Sequence, residues 1–298
     1  MNFKEISLSD KGRINKYLQL KYHSLSSYHF ANIFMWRGLY KIFYVLIEGC
    51  LCIFFRDKIG CFAYLPPLGS RIKSAVIENS FKIMDAFNAS RGLSRIENVE
   101  EHEIGFFKEL GYVVGDKPGD YLCRRDDLAG LKGDRFKSKR AAYNFFLRHH
   151  EFSCEPFASK DKTAALRLYQ EWAQQRRNVF SDAVYQGMLD DNFLCQRQAL
   201  SHFKQLGLCG LKVKISGKLK AYTVGFRLNR DTFCVLFEIT DLNIKGLAQY
   251  IFRAFSEKID YKYLNIMDDS GLDNLRKVKL SYHPFKVINS YIISRKNA

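Results

Sequence analysis

The chain has 298 residues and a formal net charge of +16, from 47 Lys and Arg against 31 Asp and Glu, with 47% hydrophobic and 15% aromatic residues. Its apolar content excludes a disordered chain, and its length suits one large domain or two of about 150 residues. The charge favours a polyanionic partner, either nucleic acid or an anionic membrane surface.

The most apolar stretch, Ile42 to Phe55, is short and broken by Glu48 and Gly49, which fits a hairpin and not a transmembrane segment. Met1 is followed by charged residues with no apolar signal core, so a cytoplasmic protein is expected, with peripheral contact at the inner membrane face allowed by its charge. Cys50, Cys52, Cys61, Cys123, Cys154, Cys195, Cys209 and Cys234 form no CxxC pair or Cys/His cluster. They read as buried free thiols, and no metal is expected.

In chain order, Ser9 and Asp10 cap a helix whose apolar face is Ile14, Tyr17, Leu18 and Tyr22. The aromatic block Ser26 to Arg37 follows and reads as core, with a pocket as the alternative. Three apolar segments separated by turn signals at Glu48-Gly49 and Lys58-Ile59-Gly60 predict an antiparallel meander. Ile72, Val76, Ile77, Phe81, Met84 and Phe87 predict a long amphipathic helix ended by Gly92. A strand over Ser94 to Val99, a helix over Glu101 to Leu110 and a strand pair at Tyr112 to Val114 and Asp120 to Arg124 complete the first half.

A basic bridge follows, Lys132 to Arg148, with six cations against the single acid Asp134. Its helical part places Tyr143, Phe146 and Leu147 inward and Lys139 and Arg140 outward, where they would meet phosphate. Beyond it the pattern predicts a strand at Phe152 to Phe157, helices to about Arg177 and from Asp182 to about Lys204, and three antiparallel strands ending in Thr232 to Thr240. A helix from Gly246 to Lys258, a strand at Tyr263 to Ile266, a helix at Leu272 to Val278 and a strand at Phe285 to Ile293 close the chain. This order matches the GNAT acyltransferase plan, and the first half is a shorter version of it. The expected fold class is therefore α+β, two tandem GNAT-like domains over residues 1–130 and 131–298, each a mixed, mainly antiparallel sheet flanked by helices.

The chemistry gathers near the C-terminus. Glu238 ends the apolar strand FCVLF, Asn265 and Asp269 follow its neighbour, and a carboxylate in such surroundings suits a general base. The bland alternative pairs Glu238 with Arg227 or Lys220 across the sheet. Arg276, Lys277 and Lys279 crowd a short helix stopped by Ser281, Tyr282 and Pro284. Asn243, Gly246 and Ala248 half match the turn that cradles the pyrophosphate of acetyl-CoA, with Asn243 as the departure. His149 and His150 are adjacent and do not share a helical face; His283 is the one histidine beside the basic helix.

Three blocks, SSYHFANIFMWR, DYLCRRDDLAGLKGDRFKSKR and NIMDDSGLDNLRKVKLSYHP, make the chain resemble bacterial proteins related to the C-terminal domain of phosphatidylglycerol lysyltransferase. The resemblance implies a tandem GNAT fold that takes an aminoacyl group from charged tRNA and passes it to a hydroxyl or amine, with no required cofactor. It implies Glu238, Asp269 and Asn265 as the catalytic set. Lys137, Lys139, Arg140, Arg276, Lys277, Lys279 and Tyr282 would hold the RNA. Where the family pattern has Glu-Lys and Asn-Arg-Glu-x-Asp, this chain carries Ile239, Ile266 and Met267 in place of Lys, Arg and Glu. Two other readings stand beside this one: an acyl-CoA-dependent N-acyltransferase, and a non-catalytic RNA-binding protein on a degenerate GNAT fold.

Overall fold

The computed structural model describes residues 2–296. They form two compact units: one holds the residues up to 120, 268–271 and from 287 onward, the other residues 121–267 and 272–286.

In the first unit, β1 (Lys4–Glu5) precedes α1 (Lys11–Leu18) and α2 (Phe30–Met35). The meander follows as β2 (Lys41–Ile47), β3 (Cys50–Arg56) and β4 (Cys61–Ala63). Next come α3 (Ser74–Phe87), β5 (Ile96–Glu100) and α4 (Ile104–Glu109). The unit also takes the start of β6 (Val113–Arg124) and most of β12 (Lys286–Ser294). Its strand order is β1-β2-β3-β4-β5-β12-β6, with β4 and β5 parallel. The meander and α3 supply the core, in which Phe54, Phe81, Met84 and Val99 are fully buried. Each buried Phe of this kind contributes about 1.5–3 kcal/mol relative to exposure.

Three details depart from the sequence reading. The strand pair expected at Tyr112 to Val114 and Asp120 to Arg124 is one continuous strand, β6, running through Pro118 and Gly119. Its glycine serves close approach and not a turn, since a Cβ on Gly119 would lie 2.3 Å from the Ile288 carbonyl oxygen. Helix α3 ends at Phe87, before Gly92, because Asn88 leaves the helix to bond both backbone groups of Cys61, at 2.6 and 2.8 Å. All eight thiols are free, but Cys154 and Cys209 are exposed. The aromatic block is core: Tyr28, Phe30 and Phe34 are buried.

The second unit runs through α5 (Arg125–Gly130), α6 (Lys137–His149), β7 (Ser153–Pro156) and α7 (Lys162–Arg177). Next are α8 (Ala183–Ser201), α9 (Phe203–Leu206), β8 (Cys209–Ile215), β9 (Lys218–Arg227) and β10 (Thr232–Thr240). It ends with α10 (Leu247–Lys258), β11 (Tyr263–Asn265) and α11 (Asp273–Leu280). From the end of β6 its strand order is β6-β11-β10-β9-β8-β7, antiparallel except for β10 with β11. The long helix expected to reach Lys204 is α8 and α9, separated by His202. The chain is thus α+β with a mixed sheet. Among the described residues no helix is long and apolar enough to cross a membrane.

Candidate active site

β10 pairs with β11 only from Thr232 to Cys234 and then continues to Thr240 with β9 alone. The carboxyl half of β10 is therefore free on one side, in the manner of a sheet that opens to admit a ligand. A β-bulge falls in this half, between Val235 and Phe237. It inserts Leu236 and places Glu238 opposite Thr223. In a regular ladder, with Leu236 paired and no bulge, Glu238 would stand opposite Tyr222, whose hydroxyl is bonded to Gln196 on α8.

Glu238 and Thr223 consequently share a face as cross-strand partners. Oε2 of Glu238 and Oγ1 of Thr223 are both sealed from solvent, and neither has a hydrogen-bond partner in the protein. Burial pushes the Glu238 carboxyl up to about 8, with the ammonium of Lys139 opposing the shift. The bland pairing is absent: Lys220 bonds Asp241 at 2.7 Å, and Arg227 Nε reaches the carbonyl of Asn229 at 3.4 Å.

Helix α6 covers this face. Phe146 is fully buried, and Lys139 lies with Nζ 4.0 Å from the centroid of the Tyr282 ring. Burial lowers the pKa of Lys139, and Glu238 acts in the opposite direction. Tyr282 is buried and packs edge-on against Phe252, centroids 4.6 Å apart. Its hydroxyl is held well above the ordinary tyrosine range by burial, then by Glu238 and Cys123. The outward placing of Lys139 is corrected here, as is the inward placing of Leu147, which is 42% exposed. Lys139, Tyr143 and Phe146 stand at i, i+4 and i+7, the spacing of one helical face. That spacing was legible in the sequence, but the lysine's charge argued for the opposite face.

The other predicted residues divide. Asn265 is fully buried at the end of β11, and its Oδ1 accepts from Met267 N at 2.8 Å. Lys279 is half-buried and spends its ammonium on the carbonyls of Ile266 and Met267. Arg140 likewise donates to the carbonyls of Leu131 and Gly133. Lys137, Arg276 and Lys277 are exposed. Asp269 belongs to the first unit, where its Oδ1 accepts from Gly271 N at 3.0 Å. His283 Nε2 bonds the carbonyl of Arg135 at 3.0 Å.

In the candidate pyrophosphate turn, Asn243 is exposed and Ala248 half-buried. Gly246 is at φ +85°, and a Cβ there would meet the Ala142 carbonyl oxygen of α6 at 2.1 Å. The packing of α6 on the start of α10 therefore accounts for this glycine without any ligand. Thr223 was missed by the sequence reading; only the bulge register brings it to Glu238. Among the described residues no group of three or more His, Cys, Asp or Glu is placed to hold a metal.

The family described as phosphatidylglycerol lysyltransferase, C-terminal, matches residues 19–294. The chain belongs to this family. A conserved protein of unknown function from Bacteroides thetaiotaomicron is 26% identical, with TM-score 0.87, 99% of this chain covered and 100% of that one. L-PGS from Bacillus licheniformis is 16% identical, with TM-score 0.65 and coverage of 97% and 93%. A tandem GNAT protein from the clavulanic acid biosynthesis pathway is 10% identical, with TM-score 0.53 and coverage of 98% and 97%. These last two likenesses are of fold alone: the α+β chain with its mixed sheet resembles GNAT-like tandem proteins. No curated protein matches it.

Proposed function

We propose that this family member is an acyltransferase that moves an aminoacyl group from charged tRNA to a hydroxyl or amine, with Glu238 as the general base. The observation that carries the reading is the Glu238 carboxylate, its Oε2 sealed and unpartnered beside the free half of β10. A structural ion pair would have satisfied that oxygen; a base must keep it available.

An aminoacyl ester is already activated, so the protein has to align the nucleophile, accept its proton and support the charge on the carbonyl oxygen. Exposed Lys137, Arg276 and Lys277 suit phosphate contacts on the RNA. The family description makes a phosphatidylglycerol hydroxyl the first acceptor to try, and the net charge of +16 suits an anionic bilayer. The acyl-CoA alternative loses its main support, since Gly246 has a packing reason of its own.

The test incubates the protein with total tRNA charged with labelled amino acids and with phosphatidylglycerol vesicles. Label should move to the lipid fraction, and Glu238→Gln should abolish that movement. Label that stays on tRNA across lipid and amine acceptors overturns the reading.

A further inference from the structure

We propose that Lys139 is a catalytic group of this site, the cation that supports the oxyanion formed on the acyl carbonyl as Glu238 receives the nucleophile's proton. The proposal rests on the acyl-transfer reading given above.

Its basis is geometric. Lys139 is a member of a basic helix, but it is not spread over the surface with Lys137; it is turned under, its Nζ 4.0 Å from the Tyr282 ring centroid. The ring face attracts the ammonium and fixes its position without taking any of its three N–H donors. At Oε2 the neighbouring Glu238 carboxyl does not take them either, since no donor reaches that atom. The ammonium and the carboxyl thus share one covered face without a bond at Oε2, and Thr223 Oγ1 is a further polar atom there without a partner. In a simple structural ion pair the two groups would have closed, as Lys212 and Asp161 do at 2.7 Å.

The reaction balances with these groups alone. The lone pair of the incoming oxygen or nitrogen forms a bond to the ester carbonyl carbon, and its proton passes to the Glu238 carboxylate. The carbonyl π pair moves onto oxygen, beside the Lys139 ammonium. When the carbonyl re-forms, the bond to the ribose oxygen breaks and that oxygen takes the proton back from Glu238. Lys139 stays an ammonium throughout.

Of the other titratable groups, Tyr282 after α11 faces Glu238 and Cys123 on β6 faces Tyr282, while Lys279 on α11 lies over the Tyr121 ring at 6.0 Å. Cys123 is pushed up to about 12 by burial, with Lys279 opposing, so it stays a neutral thiol. On α10, Arg253 is turned to the Tyr143 ring at 4.3 Å. Glu238 and Lys139 are therefore the pair that sets the pH profile. Glu238 titrates at about 8, and Lys139 titrates below the ordinary lysine range of 10.5.

The experiment compares Lys139→Met and Lys139→Arg with the parent in transfer from charged tRNA across pH, and in filter binding of uncharged tRNA. The expected result for Lys139→Met is a loss of about 10²- to 10³-fold in rate, with unchanged RNA affinity and an acid limb moved to higher pH. Glu238 would have lost the cation that favours its ionised form. Lys139→Arg keeps the charge and should recover part of the rate, which also guards against a Met variant that folds poorly. A fall in RNA affinity that matches the fall in rate, or an unchanged rate, overturns the proposal.

If the parent transfers label to no acceptor, the functional reading itself has failed. The coupling is then read from the infrared band of the protonated carboxyl, assigned through Glu238→Gln. Its midpoint should rise in Lys139→Met, and an unmoved midpoint overturns the role of Lys139.

Discussion

Gly246 at the start of α10 lies against the carbonyl oxygen of Ala142 in α6, so close that a Cβ would come within 2.1 Å of it. Gly246→Ala adds this clash to a backbone at φ +85°, where side chains are strained. It should destabilise the protein by about 2 kcal/mol or more, measured by urea unfolding. A neutral result would mean that α6 yields easily, and would reopen the start of α10 to a phosphate.

Glu238 links stability to pH with a definite sign. An unfolded glutamate loses its proton near 4.5, and this one in the fold at about 8. Between those values the folded chain holds a proton that the unfolded chain has released, so stability falls as pH rises through the window. Glu238→Gln removes that loss. Its thermal midpoint should drop less than the parent's between about pH 5 and about pH 9, and equal drops would place the carboxyl in water.

Arg276 offers a test of RNA contact that is independent of chemistry. It is exposed on α11. Arg276→Ala should weaken tRNA binding for all sequences alike and reduce the slope of log affinity against log salt by about one unit. An unchanged slope removes Arg276 from the phosphate contacts.

Lys212 tests the other side of the second unit. Its ammonium, only 3% exposed, meets Asp161 at 2.7 Å and Glu155 at 3.4 Å. Lys212→Met leaves Asp161 without its cation and should cost about 3 kcal/mol in a urea titration. Transfer by the folded fraction should be unaffected.

The repeating elements were legible because each has a period that survives outside its context. The meander from Lys41 to Ala63 and the apolar face of α3 needed only local patterning. Glu238 stood out as an acid at the end of an apolar strand. Its partners did not, for two physical reasons. The bulge at Leu236 changes which residue faces Thr223, and nothing in FCVLFE marks a strand as bulged. Lys139 obeys the apolar stripe of α6 against its own charge, because an aromatic face and a carboxylate await it. The break expected between Val114 and Asp120 erred in the opposite direction: β6 runs straight through it, although Pro118 and Gly119 have the composition of a turn.

The position of β12 bears on how the molecule is made. This strand lies between β5 and β6 in the first unit, yet it is the last strand of the sequence. During synthesis the first unit leaves the ribosome with an inner place of its sheet unfilled, and β5 and β6 keep unpaired edges until Lys286–Ser294 has been made. The second unit's strands all emerge earlier. A ribosome stalled shortly before Lys286 would therefore present a nascent chain whose front part is the vulnerable one, exposed to chaperones and proteases although it was made first.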